Sequence, residues 1–396
     1  MLQNIILRLD FHLEYKMKHY NYIFTGSGLS ALMTVYEMIL SDKFSDKTIL
    51  LIDADAKKNN DRTWCFWEAN YSKFDKIISK KWNFAFFAND NFRKELALKP
   101  YNYNMIQGLD FYNFVLNEIE NHNNIEFLNQ KVTDFEELEN NCLVKTEAKN
   151  YTCDKVFNSI LDLDLVKTQN KYPLLQQHFI GWFIKSKEAV FNPDLVNFMD
   201  FSVEQRGNTR FMYVLPTSEN EALIEYTLFS KDLLDKKEYE DEIEIYIKNL
   251  GITQYEIVDK EQGNIPMSSF YFWKNNSKNI VNIGSVGGWT KASTGFTFKN
   301  VTKYSRKLVK FLEKQNDFRK FHKKDKFWFY DLLFIDVLFK NNALGSKVFS
   351  SLFQKGNTTL IFKFLDGETT FFEDLRVMFK CPTIPFAKAL FGRVFR

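Results

Sequence analysis

Asn21 to Ala31 reads NYIFTGSGLSA and Leu50 to Asp53 reads LLID, so an apolar strand runs into a Gly-x-Gly-x-x-Ala turn and an acid closes a second strand. Residues of these types at this spacing can hold a dinucleotide. Gly26 permits the tight turn, Gly28 lets the backbone approach a pyrophosphate, and Ala31 is small enough for the helix to pack on the strand. Asp53 lies 25 residues after Gly28, close to where a ribose hydroxyl needs an acceptor. A second glycine cluster, GSVGGWTKASTGFTF, follows the short apolar strand Asn279 to Ile283. Its Gly284, Gly287, Gly288 and Gly295, set among small hydroxyl residues, let a backbone lie against an extended ligand, so a long cofactor would be held from two ends. Glu225 is the third feature. It stands in Ala222 to Leu228, where alternation puts Leu223, Glu225 and Thr227 on one face. If that face looks into a cavity, the carboxyl points at a substrate; if it looks outward, Glu225 is a surface carboxylate, the reading periodicity alone favours.

These residues need a scaffold, and the chain supplies one in pieces. The run Leu29 to Leu40 is helical and completes a βαβ unit with the two strands. Asp110 is placed to cap a helix over Phe111 to Glu120, and Ile125 to Leu128 and Lys155 to Ile160 read as further strands of the same sheet. The stretch from Lys171 to Met267 has a different texture, with alternating strands at Phe179 to Lys185, Phe211 to Leu215 and Ala222 to Leu228. Lys237 to Asn249 reads as an amphipathic helix with a solvated face. After the second glycine cluster a helix follows over Phe296 to Glu313, and from Gln315 onward the sequence is helical, Phe-rich and basic. The expected organisation is a nucleotide domain over 18–170, an antiparallel sheet over 171–267, the rest of the nucleotide domain over 268–314, and a helical region over 315–396.

Composition narrows the function. The chain has 396 residues and a net charge of only +3, with no Lys/Arg stripe interleaved with aromatics, which argues against nucleic acid as a partner. Cys65, Cys142, Cys153 and Cys381 are scattered without Cys-x-x-Cys or matching His spacing. Neither a metal site nor a disulfide framework is expected, and the thiols read as reduced and cytosolic. Met1 to Lys18 has an apolar start broken by charges, without a signal-peptide pattern. The first sixteen residues read as a poorly ordered extension or a misplaced start. No run of about 18 apolar residues occurs, so no membrane-spanning helix is expected. Phe327 to Phe339 carries Asp331 and Asp336 and reads as a core or surface-amphipathic helix. The closing CPTIPFAKALFGRVFR suits either a packed terminal helix or an anionic membrane surface. Aromatic residues make up 17% of the chain, which fits either codon bias or an aromatic-lined cavity; the cluster Trp64, Phe66 and Trp67 fits either a core or the cofactor's side.

GSGLSA with LLID, DRTWCFWE, FMDF at Phe198 to Phe201, YVLPTSENEALIEYTLF, GGWTKASTGFTF and FLDGETTFFEDLRVMF together resemble the flavin-dependent lycopene cyclases of carotenoid synthesis, bacterial branch. The resemblance runs from about Tyr20 to the C-terminus. It implies an α/β fold similar to p-hydroxybenzoate-hydroxylase-type flavoproteins: a Rossmann-like FAD-binding domain, an inserted antiparallel substrate-binding sheet and a helical C-terminal region. It also implies FAD kept reduced by NAD(P)H, with no net oxidation of the substrate. The cofactor contacts expected are Gly26, Gly28, Ala31, Asp53, Arg62, Gly284, Gly287, Gly288, Thr294 and Gly295. Many related flavoenzymes have Gly-Asp at the second cluster, whereas this chain has Gly284-Ser285, so contacts there fall to backbone and hydroxyl groups.

The reaction implied is a non-redox isomerisation of lycopene to β-carotene. A proton reaches a terminal alkene, the cation attacks a neighbouring double bond, and loss of a ring proton leaves the β-ring. An alkene is a weak base, so the donor must be a carboxylic acid kept neutral by a dry site. The plant motif Phe-Leu-Glu-Glu-Thr falls on Leu223-Ile224-Glu225-Tyr226-Thr227, giving Glu225 the acid's role and replacing the second glutamate by Tyr226. Asp200, from the family's Met-Asp pair, is a second candidate, as proton relay, as partner tuning Glu225, or as a structural hydrogen-bonding group. A hydrocarbon substrate held in membrane implies a cytoplasmic protein in peripheral contact with a bilayer. The competing expectations are a flavin monooxygenase or prenyl reductase, which would consume NAD(P)H in proportion to product, and a non-catalytic carotenoid or flavin binder, which would leave lycopene unchanged.

Overall fold

The computed structural model describes residues 17–395, and the expectation for the first sixteen residues lies outside them. The first part of the chain forms β1 (His19–Thr25), α1 (Leu29–Ser41), β2 (Ile49–Asp53), β3 (Thr63–Glu68), β4 (Lys80–Trp82), β5 (Phe84–Asn89), β6 (Phe92–Ala97), β7 (Asn102–Gln107) and α2 (Gly108–Ile119). It continues with β8 (Ile125–Asn129), β9 (Val132–Glu137), β10 (Cys142–Thr146), β11 (Asn150–Asn158) and the short α3 (Asp164–Lys167). Then come β12 (Leu175–Ser186), β13 (Leu195–Asp200), β14 (Thr209–Pro216), β15 (Glu221–Ser230), α4 (Lys236–Asn249), β16 (Tyr255–Met267) and β17 (Ile280–Asn282). Six helices close the chain: α5 (Phe298–Leu312), α6 (Lys326–Lys340), α7 (Leu344–Lys355), α8 (Thr358–Leu365), α9 (Phe371–Met378) and α10 (Thr383–Val394).

The first sheet runs β8-β2-β1-β11-β10-β9, with β17 also on β11. Its centre is parallel, and Ile23, Phe24 and Leu50 to Ile52 are buried, as helix-covered parallel strands require. Returning to this sheet at β17 after the excursion makes the nucleotide domain discontinuous. Cys142 and Cys153, both buried in one hydrophobic cluster, face each other across β10 and β11 as free thiols. The helix expected over Phe111 to Glu120 begins earlier, at Gly108, so Asp110 does not cap it but sits in its first turn, where its charge suits the helix dipole.

The second sheet runs β16-β12-β15-β14-β13-β5-β6. Residues 84–97, expected with the nucleotide domain, belong to it instead. Phe84 to Asn89 pairs parallel with β13 and antiparallel with β6, burying Ala85, Phe87 and Ala88. The sheet is therefore mixed at one edge. Helix α4 covers its outer face through Tyr239, Ile243 and Ile247 and leaves its charged side in water. A third, three-stranded sheet, β3-β7-β4, bridges the other two.

The C-terminal helices are fastened by residues of FLDGETTFFEDLRVMF. Asp366 accepts from Trp67 Nε1 at 3.0 Å and from the Lys299 ammonium of α5. Thr370 and Glu373 form a capping box on α9. Asp374, fully buried, accepts from Lys326 Nζ at 2.6 Å, Thr369 Oγ1 at 2.6 Å and Tyr330 OH at 3.1 Å. Replacing Lys326 by Met leaves that carboxylate without a counter-ion and is expected to cost about 3 kcal/mol in urea unfolding; a loss below about 0.5 kcal/mol would show that the hydroxyl partners suffice. Asp331 and Asp336 of α6 are paired, with Lys291 and Arg393. Among the described residues no helix is long and apolar enough to cross a membrane.

Candidate functional site

The site begins where β1 ends. Gly26 has φ +95°, a left-handed conformation, and a side chain there would collide with Ser159 Oγ. Two residues on, nothing stands within 4 Å of where a Cβ at Gly28 would lie. Helix α1 starts at that point with no side-chain cap and no acid in its first turn. Open space beside unpaired N–H groups at the start of a 13-residue helix is a cradle for an anion. The second glycine cluster closes on the same place. Gly284 has φ +65°, and a Cβ on it would lie 2.6 Å from Ser30 Oγ in the first turn of α1. Two segments separated by most of the chain thus meet at one helix end.

From this meeting point a single cavity of about 450 Å³ extends to the second sheet, a size ordinary for a small-molecule site. Gly28, Arg62, Glu225, Gly284, Thr294 and Gly295 stand on its wall. Thr294 Oγ1 and Gln177 Oε1, both on that wall, are buried without a hydrogen-bond partner among the described residues. Both atoms are free to bond a ligand in the cavity. Ser285 also lines the cavity and bonds Thr290 Oγ1 at 3.0 Å. Trp64 lies on the wall, whereas Phe66 and Trp67 pack in the core, so the aromatic cluster divides between the two roles expected of it.

Gly26, Ala31, Asp53, Gly287 and Gly288, expected as cofactor contacts, do not line this cavity, and Gly288 lines a separate one with Phe272 and Trp273. Asp53 accepts from the Ser27 N–H at 2.6 Å, Ser27 Oγ at 3.0 Å and the Asp55 N–H at 2.8 Å, with Lys57 Nζ 3.3 Å away. Burial works to raise its pKa, but the Asp55 and Ser27 N–H groups and Lys57 hold it below the usual carboxylate range. Its carboxylate ties β2 to the glycine turn.

At the far end of the cavity the sheet register assembles a row. Tyr213 on β14 is opposite Glu225 on β15, Glu225 is opposite Gly181 on β12, and Gly181 is opposite Glu261 on β16. Opposed residues share a face, so this row looks into one space. Gly181 leaves a gap in it: a Cβ there would lie 2.8 Å from Leu223 Cδ1, 3.3 Å from Glu261 Cγ and 3.4 Å from Glu225 Cβ. Glu225, only 7% exposed, accepts from the Thr227 hydroxyl, and Glu261 accepts from Thr63 Oγ1 at 2.7 Å. Tyr213 OH and Tyr103 OH are bonded at 2.6 Å above the row. Burial and then the Glu261 charge push Glu225 up to about 8, against the Thr227 hydroxyl. Burial pushes Glu261 up to about 7, against the Thr63 hydroxyl and Arg62.

Asp200 is not part of this space. It is buried on the α4 side of the sheet, where it accepts from Tyr246 OH at 2.9 Å and the Ser202 N–H at 2.9 Å. Of the roles expected of it, its surroundings match the structural hydrogen-bonding one and not a relay to Glu225: a bulge in β13 puts Phe198 and Met199 together on the cavity, while Asp200 and Asn197 both bond Tyr246 OH on the α4 side. Alternation takes Tyr226 out of the site. Its hydroxyl faces the other side and accepts from Arg210 Nη1 at 3.2 Å. Glu261, Thr63, Tyr213, Tyr103 and Gln177 are site residues that sequence reasoning missed. The available signal was Glu261 in the alternating run Tyr255 to Met267, but its partner strand is set by register, which alternation does not specify.

Comparison with known proteins agrees with this geometry. The family model described as lycopene cyclase protein matches residues 22–391. No curated protein sequence matches the chain. Among solved structures, a flavoprotein/dehydrogenase from Cytophaga hutchinsonii superposes with a TM-score of 0.63 at 10% identity, over 95% of this chain and 100% of that one. A flavin-dependent brominase gives 0.59 at 11% identity, over 96% and 100%. A geranylgeranyl bacteriochlorophyll reductase-like protein from Thermoplasma acidophilum gives 0.56 at 11% identity, over 95% and 96%. At such identities these likenesses establish the Rossmann-like α/β fold.

Proposed function

Since this chain belongs to the lycopene cyclase family, we propose that it closes the acyclic ends of lycopene into β-ionone rings, by proton delivery from Glu225 and without net redox change. The observation that carries the reading is a buried carboxyl, held largely neutral near neutral pH, in the same cavity as both glycine clusters. Such a group can protonate an alkene, and a surface carboxylate cannot. The apolar and aromatic wall around it, including Phe179, Phe198, Phe211 and Phe229, suits a polyene end and keeps water from the cation. Ring faces add cation–π attraction.

FAD is the cofactor we propose, with NAD(P)H as its reductant. The residues fit it: the open space at Gly28, the uncapped start of α1 for a diphosphate, and the unpaired Thr294 and Gln177 atoms further along. When bound and reduced, FAD supplies fixed negative charge beside the developing cation. The test is expression in a lycopene-accumulating bacterium followed by pigment analysis. β-Carotene or its one-ringed precursor is expected; unchanged lycopene beside intact, flavin-loaded protein would refute the cyclase.

A hydrocarbon substrate has to be collected from a bilayer, and α9 and α10 suit that contact. Phe372 is 76% exposed, Phe379 70%, Phe391 61% and Phe395 78%. Between them Arg376, Lys380 and Lys388 are exposed, and no acid occurs from Leu375 to Phe395. Apolar rings interleaved with cations and no acids match the interface of an anionic leaflet. Replacing Phe372, Phe391 and Phe395 together by Ser is expected to weaken binding to phosphatidylserine-containing vesicles by at least about 100-fold. Unaltered sedimentation with vesicles would remove this face from the contact.

A further inference from the structure

The second carboxylate of the row has no role in the reading above, and its position gives it one. Glu225 and Glu261 are carried on strands either side of β12, roughly 9–10 Å apart at the backbone. Both side chains flank Gly181: a Cβ there would lie 3.4 Å from Glu225 Cβ and 3.3 Å from Glu261 Cγ, with Leu223 Cδ1 beside them. Glu225 is buried and Glu261 half-buried, each takes one hydroxyl hydrogen bond, and neither has a salt bridge within 4 Å among the described residues. Two carboxylates so placed cannot both ionise without severe repulsion.

We propose that Glu261 is the proton-sharing partner of Glu225, the two carboxyl groups holding one proton between them across Gly181. This rests on the cyclase reading for its chemical consequence. The Glu225 O–H bond breaks as the alkene π pair forms a new C–H bond. Ring closure then forms a C–C bond, and a ring C–H bond breaks with its electron pair becoming the new double bond. The proton released returns to a carboxylate oxygen of the pair. One proton leaves and one comes back, so the pair is reset with no oxidant, reductant or outside acid consumed. While the proton is away, both carboxylates are charged and favour the nearby cation.

The tyrosines and the thiol facing the pair stay neutral throughout. Tyr213 from β14, Tyr103 from β7 and Cys65 from β3 are held protonated, their pKa values pushed up chiefly by burial. Arg62 before β3 and Asp259 on Glu261's own strand act on Glu261 through their charges. The proton that moves near neutrality therefore belongs to the two glutamates.

The test uses the purified full chain loaded with flavin, read by the infrared band of protonated carboxyl groups during a pH titration and, separately, by the pH profile of ring formation. Wild type is expected to keep a protonated-carboxyl band above pH 7 that Glu225→Gln or Glu261→Gln alters. In Glu261→Gln the Glu225 band is expected to titrate at least about one pH unit lower, and the upper pH limit of ring formation to fall with it. Thr63→Val, which removes the hydroxyl favouring ionised Glu261, is expected to increase the band at pH 8, and it serves where Glu261→Gln does not fold. A band that titrates in Glu261→Gln as in wild type, or is unmoved in Thr63→Val, overturns the pairing. Because the infrared measurement needs no turnover, a pair that titrates as expected in a chain that forms no rings would refute the cyclase reading and leave the pairing standing.

Discussion

Replacing Glu225 by Gln is expected to lower ring formation by about 10³-fold while leaving flavin bound. Gln has nearly the same size and can still accept from the Thr227 hydroxyl, so the strand β15 and the row around Gly181 have no steric reason to change. What is lost is the transferable proton. The neighbouring Glu261 cannot replace it in full, since it is two strands away and its own acidity is favoured by the Thr63 hydroxyl and Arg62. Pigment analysis of a lycopene-accumulating host, with flavin absorbance of the purified variant as control, measures both halves of the expectation. Activity within tenfold of wild type would take Glu225 out of the donor's role.

The same group sets a pH dependence whose sign follows from its raised pKa. Ring formation by wild type should fall as pH rises through about 8, because the donor loses its proton there. Stability moves the same way. A carboxyl whose folded pKa stands above its unfolded value contributes stability that is fully present below about 4.5, the unfolded value, and is lost as pH rises through about 8. Glu225→Gln should therefore lose less stability than wild type between those limits, measured by urea unfolding at several pH values.

Substituting Gly28 by Asp is expected to separate folding from cofactor binding. The Gly28 backbone is extended, with φ −74° and ψ −171°, so any residue can adopt it, and a Cβ there meets nothing within 4 Å. Asp is also a favoured residue at a helix start and would supply the cap that α1 lacks, adding a few tenths of a kcal/mol to stability. Yet its carboxylate would occupy the open space and engage the N–H groups a diphosphate needs, with like charge facing like. Flavin affinity should fall by at least about 100-fold in a chain that melts no lower than wild type. Undiminished flavin binding would show that the diphosphate does not lie against Gly28.

Much of the scaffold was legible because its signals are local. The turn at Gly26 and Gly28, the helix after it, and the alternation of Ala222 to Leu228 each follow from neighbouring residues. Alternation also settles the departure from the family motif: Tyr226 in place of a second glutamate costs the cavity nothing, since consecutive residues of β15 face opposite ways. Asp200 escapes that rule: a bulge in β13, which alternation cannot foresee, puts Phe198 and Met199 together on the cavity and Asp200 on the α4 side. Residues 84–97 show the opposite case. Their apolar alternation marks a hairpin but not which sheet receives it, and pairing with β13 is decided more than a hundred residues later in the chain.

The sequence by itself determined the local devices of this protein: a glycine turn built for a diphosphate, an acid within an apolar strand, and a family resemblance that joins them. Tertiary structure alone decided that the strand's acid faces inward, that the two glycine clusters meet at one helix end, and that Glu261 stands across Gly181 from Glu225. The reason is that periodicity fixes which side chains share a face but carries no information on what that face meets. Strand register and sheet order, set by packing over the whole domain, supply that, and they also bury Glu225 and so raise its proton affinity.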